Sequence, residues 1–264
     1  MKKVLSVVLA VAVLVAFTTT VSLAVSRGEA VKAVTAPTID GTIDDMWSAV
    51  PELESTIKLF GTGEPATGKT KVMWDESTLY FLTVVTDNEI SHTSPTNWDK
   101  DCVEYFVDED NSKGAEYDSV DDAHLRAGVD GDPASAEGCA FPEQVAQGFA
   151  KTETGYVVEY SYKAMNPLKE GQVIGFDFMV SDDQGDGKRD TAMCWNEDAT
   201  GDNWRDASVF GEIELKGAAD TKGTAETKDA AEDTVADTGA DVSAIYAVGT
   251  ILVAAGAALQ LRRK

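Results

Sequence analysis

Between residues 31 and 216, apolar and polar side chains alternate over short runs, and residues with turn chemistry separate those runs. This is the period of a strand with one buried face, and no convincing helical stretch interrupts it. Thr70 to Trp74 and Leu79 to Thr86 flank Asp75-Glu76-Ser77-Thr78, a hairpin by composition. Further strands are expected over Asp101 to Asp108, Ala123 to Val129, Phe149 to Thr152, Tyr156 to Tyr162, Val173 to Val180, Thr191 to Trp195 and Phe210 to Leu215. Many short strands with Gly and Asp between them predict an all-β chain, two packed antiparallel sheets forming a β-sandwich or jelly roll. The Trp-Asp and Trp-Asn dipeptides at Trp74, Trp98 and Trp195 hold no fixed period, which excludes a propeller.

Charge then narrows the partners. The 264 residues carry 46 Asp plus Glu against 22 Lys plus Arg, a formal net charge of −24. Any basic patch would sit in a repulsive field, which argues against nucleic acid and against anionic membrane surfaces. A hydrophobic fraction of 43% is ordinary for a globular core, so the acidity is a property of the surface. Two His and three Cys, with no C-x-x-C pair, leave too few soft ligands for structural zinc. With Cys102, Cys139 and Cys194, any single disulfide would leave one thiol over; buried thiols are expected.

Both ends have the composition of processing signals. Lys2 and Lys3, the apolar run from Val4 to Phe17 and Ser22-Leu23-Ala24 predict a signal peptide over residues 1–24, with cleavage after Ala30 as an alternative. Residues 217–238 are rich in Ala, Thr, Asp, Glu, Lys and Gly, contain no aromatic residue, and read as a disordered acidic linker. They lead to Val235-Ala236-Asp237-Thr238-Gly239, an apolar run over 244–261 and the basic stop Arg262-Arg263-Lys264. That order resembles the sorting signal of Gram-positive surface proteins, although Val235 and Ala236 stand where that signal carries Leu and Pro. The resemblance implies a sortase cut between Thr238 and Gly239; a plain membrane anchor is the alternative. Either way the domain over 31–216 is expected outside the cell, attached to wall or membrane, and touching the membrane only through its C-terminal segment.

Of the five Trp, Trp74 and Trp195 lie within alternating segments and Trp47 follows an apolar staple, so these three are expected in the core. Trp98 and Trp204 instead sit in the polar runs Thr96-Asn97-Trp98-Asp99-Lys100 and Asp202-Asn203-Trp204-Arg205-Asp206. No periodicity draws either indole inward, and an exposed Trp in a loop calls for a ligand or partner. Alternation along Asp101 to Asp108 sends Val103, Tyr105 and Val107 to one side and Cys102, Glu104 and Phe106 to the other. If the first set takes the core, Glu104 projects from the outer face near the Trp98 loop, where Arg126 could neighbour it; a surface ion pair is the alternative.

A resemblance spans most of this interval. Pro37-Thr38-Ile39-Asp40-Gly41-Thr42-Ile43-Asp44-Asp45-Met46-Trp47, Lys71-Val72-Met73-Trp74-Asp75-Glu76-Ser77-Thr78-Leu79-Tyr80, Asp101 to Asp108, Ile174-Gly175-Phe176-Asp177 and Asn203-Trp204-Arg205-Asp206 occur in an order similar to that of a family 9 carbohydrate-binding module. The resemblance implies a DOMON-like β-sandwich that grips the end of a glucan or xylan chain between two indoles, on whose positions Trp98 and Trp204 fall. It also implies that Glu104 and Arg126 hydrogen-bond sugar hydroxyls. Met179 replaces an amide side chain common in the family, and the loop before Trp204 is longer, so Asn203 or Asp202 is a candidate for the missing contact.

The resemblance further implies structural calcium, and Asp108, Asp110, Asp118, Asp121 and Asp122 supply the hard oxygen ligands calcium takes, though not in EF-hand spacing. The chain is thus expected to be a non-catalytic binder of polysaccharide or oligosaccharide chain ends. Two other classes stay open. One is a jelly-roll glycosidase with paired carboxylates, or an accessory to glycoside hydrolysis. The other is a haem module, because related sandwiches hold haem, with His92, His124, Met73 or Met179 as axial ligands.

Overall fold

A computed structural model describes residues 25–138, 141–196 and 200–219. The first strands are β1 (Arg27–Lys32), β2 (Leu53–Glu54), β3 (Ile57–Phe60), β4 (Thr67–Trp74) and β5 (Thr78–Thr86). Next come β6 (Cys102–Asp108), β7 (Asp122–Gly128), β8 (Ser135–Gly138), β9 (Val145–Thr152) and β10 (Gly155–Lys163). The last are β11 (Val173–Asp182), β12 (Thr191–Cys194) and β13 (Gly211–Lys216), and the helical content among the described residues is confined to short 3-10 turns. The leader, the sorting signal and all of the linker beyond residue 219 fall outside the described residues, as does Cys139. No helix among the described residues is long and apolar enough to cross a membrane.

The strands follow the order β8-β7-β6-β11-β13-β1-β4-β5-β10-β9, with β12 and β3 continuing from β11 and β2 attached to β4. The ribbon folds on itself into an all-β sandwich. One layer is centred on β6 and β11, the other on β5 and β10. Every expected strand is present, but the pairing is not wholly antiparallel: β1 runs parallel to both β13 and β4. Parallel neighbours need long connections, and β1 has them, because the whole domain lies between it and β13. The folded unit therefore begins at β1, ahead of residue 31, and a cut after Ala30 would divide that strand.

Between the layers lies one large apolar cluster that includes Val72, Trp74, Phe81, Val103, Tyr105, Val107, Tyr160, Phe176 and Phe178. The period-2 pattern of β6 thus sends Val103, Tyr105 and Val107 to the shared core. Three polar groups in the core satisfy one another: Thr70 and Thr83 hydroxyls lie 2.8 Å apart and Thr83 lies 2.8 Å from the Tyr105 hydroxyl, whereas the Tyr156 hydroxyl is buried without a partner. A second cluster, on the outer face of β4, β5 and β10, holds Trp47, Met73, Tyr80 and Leu82. There the buried carboxylate of Glu159 accepts from Asp40 N at 3.0 Å, Gly41 N at 2.9 Å and Trp47 Nε1 at 3.1 Å. Gly41 has φ of +85°, and a Cβ there would stand 2.6 Å from the Phe149 backbone, so the turn requires glycine. Trp47, Trp74 and Trp195 are all buried.

Candidate functional site

The outer face of the other layer is built differently. Cross-strand register places Arg126 of β7, Glu104 of β6, Met179 of β11 and Cys194 of β12 in one row. Sequence alternation puts Glu104 on this face, but does not show that the face is covered. Glu104 is only 3% exposed and Arg126 only 6%, and a third apolar cluster that includes Phe106, Met179, Cys194, Ala207 and Phe210 draws on the same strands. The pair is therefore not a solvated surface ion pair.

Glu104 is held from several sides. His124 Nε2 lies 3.0 Å from Oε1, Ser181 Oγ donates to Oε2 at 3.4 Å, and Arg189 Nη1 stands 3.9 Å from Oε2. Burial would push the carboxyl up, but the His124 hydrogen bond and the charges of His124, Arg189 and Arg126 hold it below the usual carboxylate range. Arg126 has one carboxylate contact at 3.6 Å, from Nη2 to Asp132, whose other oxygen contacts include Lys100 at 2.9 Å. Its Nε and Nη2 are buried without a strong hydrogen-bond partner, the buried Cys102 thiol beside the guanidinium being a weak acceptor. A guanidinium with idle buried donors is costly in a folded protein unless an acceptor arrives.

Two indoles rise from loops beside this row. Trp98 sits in a 3-10 turn, Asn97–Asp99, that packs near β11, and it is 61% exposed. The turn is pinned by buried Asp101, which accepts from Ser91 N at 2.5 Å and Asp183 N at 2.6 Å, and by Lys100 on Asp132. Trp204 is 56% exposed, with the Arg205 guanidinium 5.4 Å from its ring centroid. Arg205 is itself fixed to Asp202 at 2.7 Å. Asn203 beneath it is buried: its amide donates to Asp177 Oδ2 and Cys194 Sγ, each at 3.4 Å, and its carbonyl accepts from the Tyr117 hydroxyl at 2.5 Å. Both loops are thus tied down while their indoles are left open to solvent, and polar groups lie on the floor. Such a site suits a ligand with flat apolar faces and a hydroxylated rim, which is the chemistry of a pyranose.

The acidic residues are brought together in part. Asp108, Asp110 and Asp121 each turn an oxygen to a common point, those atoms lying within 4.8 Å of one another. Asp122 is adjacent, and Oδ1 of both Asp121 and Asp122 is buried without a partner. Asp118 instead caps its own turn, accepting from Val120 N at 2.7 Å and Asp121 N at 3.1 Å. Burial and mutual repulsion push Asp121 up to about 7 and Asp122 up to about 6. Two further groups come together, Asp87 with Asp101 and Asp182, and Asp183 with Asp186 and Asp190. The second lies in the acidic turn 182–190, which fails EF-hand spacing because Met193 stands where the bidentate Glu belongs. The places of Ser181 and Arg189 beside Glu104 were not legible in the sequence. Of the haem candidates, Met73 and Met179 belong to separate apolar clusters on the two outer faces.

Fold and site together define a carbohydrate-binding sandwich, and comparison with known proteins gives the family. Residues 39–218 match the family model described as carbohydrate family 9 binding domain-like, and the chain belongs to that family. An exoglucanase of Acetivibrio thermocellus, XynX, is 36% identical over 182 residues, covering 69% of this chain and 16% of that protein. An endo-1,4-beta-xylanase A of Thermotoga neapolitana is also 36% identical over 182 residues, covering 68% of this chain and 17% of its own length. The chain thus spans about a sixth of those enzymes. A family 9 module from Caldicellulosiruptor kristjanssonii solved with cellotriose superposes with a TM-score of 0.68 at 27% identity, covering 77% of this chain and all of the other. A family 9 module of the same organism solved with glucose gives 0.67 at 28% identity, covering 74% of this chain and 98% of the other. Family membership makes this a binding module and not a catalytic one.

Proposed function

We propose that the domain binds the end of a β-glucan or xylan chain between Trp98 and Trp204. The observation that carries this reading is the pairing of two exposed indoles on anchored loops with a buried guanidinium, Arg126, whose donors await an acceptor. A sugar ring stacked on indole covers apolar surface that water otherwise wets, while Glu104 and Arg126 reach its hydroxyls. Asn203 serves the slot from below by fixing the loop of Trp204. The solved relatives bound to cellotriose and glucose support a gluco-configured ligand, and the xylanase relatives support xylan as a further one. Isothermal titration with cellobiose, xylobiose and their reduced alditols tests this. Heat with the sugars and less with the alditols is expected; no heat with any of them overturns it.

Two accessory readings belong to the same proposal. The Asp108, Asp110, Asp121 and Asp122 group suits a calcium ion, because its buried unpartnered oxygens are the hard donors that ion takes. Bound there, calcium would supply positive charge that relieves carboxylate repulsion and stiffens the loop between β6 and β7. The processing signals read from residues 1–24 and 235–264 would place the domain on the cell surface, by sortase or by a membrane anchor, beside separate hydrolases that cut the chains it holds.

A further inference from the structure

We infer that Asp132 is a positioning residue of the slot: its carboxylate braces the Trp98 turn through Lys100 and aims the Arg126 guanidinium, so that stacking and hydrogen bonding depend there on one anion. This rests on the reading of the slot as a sugar site. Asp132 lies in the turn between β7 and β8, and its backbone is fixed before its charge is used. Asp132 N donates to Val129 O at 3.0 Å, and Asp130 and Gly131 take φ of +49° and +97° to close the turn. From β9, Gln147 clamps both ends of it: Oε1 accepts from Gly128 N at 3.0 Å and Nε2 donates to Asp132 O at 2.5 Å. A Cβ at residue 128 would stand 2.5 Å from Asp132 Cβ, so glycine there lets the turn pack this closely.

The carboxylate then serves two parts of the slot at once. Lys100, which caps the Trp98 turn, brings Nζ to 3.1 Å from Oδ1 and 2.9 Å from Oδ2, while Arg126 Nη2 stands 3.6 Å from Oδ2. The side chains of Lys100, Asp132 and Arg126 are 13%, 15% and 7% exposed, so water screens these charges weakly. Two cations share this pocket, and the anion they both face offsets their mutual repulsion. Its two services differ in kind. Lys100 is bonded outright, and because Trp98 is 61% exposed, its indole stands where the tethers at Lys100 and Asp101 put it. The 3.6 Å to Arg126 is too long for a hydrogen bond, so Asp132 attracts the fork and sets its heading without taking up the donor. The guanidinium is thereby aimed while its protons stay available to a ligand, which lowers the cost of ordering it on binding.

The test combines calorimetry with NMR on the folded domain. Asp132→Asn keeps the shape and removes the anion, and is expected to weaken cellobiose binding roughly tenfold, within the range of coupling between charged neighbours. Two readouts separate positioning from mere support. In an Arg126→Met background, Asp132→Asn should cost only what Lys100→Met costs there, because the part that acts through the guanidinium is gone. The Trp98 indole N–H resonance, assigned by its absence in Trp98→Phe, should shift in Asp132→Asn and in Lys100→Met before any sugar is added. Should Asp132→Asn fail to fold, Lys100→Met decides: a displaced Trp98 resonance with weaker binding supports the brace, and an unmoved resonance with wild-type affinity overturns it. Wild-type affinity in folded Asp132→Asn, or additive losses with Arg126→Met beside an unmoved Trp98 resonance, overturns this inference and leaves the slot intact. Failure of the wild type to bind any sugar overturns the slot reading and this one with it.

Discussion

Arg126→Met should make the empty domain no less stable while it cripples binding, and the structure gives the size of each effect. Methionine has a similar reach and no polar hydrogen, and Arg126 itself is only 6% exposed. The substitution removes two buried donors, Nε and Nη2, that have no strong partner. Each such donor carries a desolvation penalty of about 1–3 kcal/mol. Against that gain stand the loss of attraction to Asp132 at 3.6 Å, an acceptor that keeps Lys100 at 2.9 Å, and of the weaker interactions with Glu104 and the Cys102 thiol. Glu104 keeps His124, Ser181 and Arg189, so no carboxylate is stranded. The net change in unfolding free energy is expected to lie between zero and about 2 kcal/mol in favour of the variant. Sugar binding, by contrast, loses charge-assisted hydrogen bonds of about 1.5–3 kcal/mol, roughly a tenfold to 150-fold rise in Kd. Urea unfolding and calorimetry with cellobiose measure the two quantities on the same protein. A variant destabilised by several kcal/mol that binds as well as the wild type would show that Arg126 is structural and refute the reasoning.

Glu159→Ala should do the opposite, costing about 2–4 kcal/mol because it strands Asp40 N, Gly41 N and Trp47 Nε1 on the far face, with unchanged sugar affinity by titration. Chelation should lower the melting temperature by about 5–10 °C, restored by added calcium, if the Asp108 group holds the ion at saturating levels; an identical melt with and without chelator would count against that site. The pH dependence of Glu104 follows from its lowered value. A carboxylate held below its unfolded value contributes stability that is present above that value and lost as pH falls through the folded one. Its contribution should thus persist at pH 5 and fade only below about 4.5, seen as a drop in unfolding free energy that Glu104→Gln does not show.

What was legible in the sequence was what local pattern encodes. β6 could be read because Val103, Tyr105 and Val107 alternate with Cys102, Glu104 and Phe106 and because both faces are buried. β1 could not: in Arg27–Lys32 only Ala30 is fully buried, and its parallel pairing to β13 and β4 depends on chain remote in sequence. β3 and β8 were silent for a related reason, being short edge strands with few buried positions. At the site, Trp98 and Trp204 stood out because an indole in a polar run has no packing reason to be there. Arg189 did not, because one arginine in an acidic turn reads as a solvated charge; only the fold of β11 against β12 turns it toward Glu104. The burial of Glu104 was also invisible, since its neighbours Met179, Ser181 and Arg189 come from chain remote in sequence.

The central claim is that two anchored, exposed indoles grip a sugar, and one titration meets it directly. Trp98→Ala and Trp204→Ala remove side chains that are 61% and 56% exposed, so each variant should melt with the wild type. Covering roughly 80 Å² of indole with a pyranose face is worth about 2 kcal/mol, so each variant should bind cellotriose roughly thirtyfold more weakly and the double variant should give no measurable heat. Wild-type heat and affinity in the double variant would contradict the account.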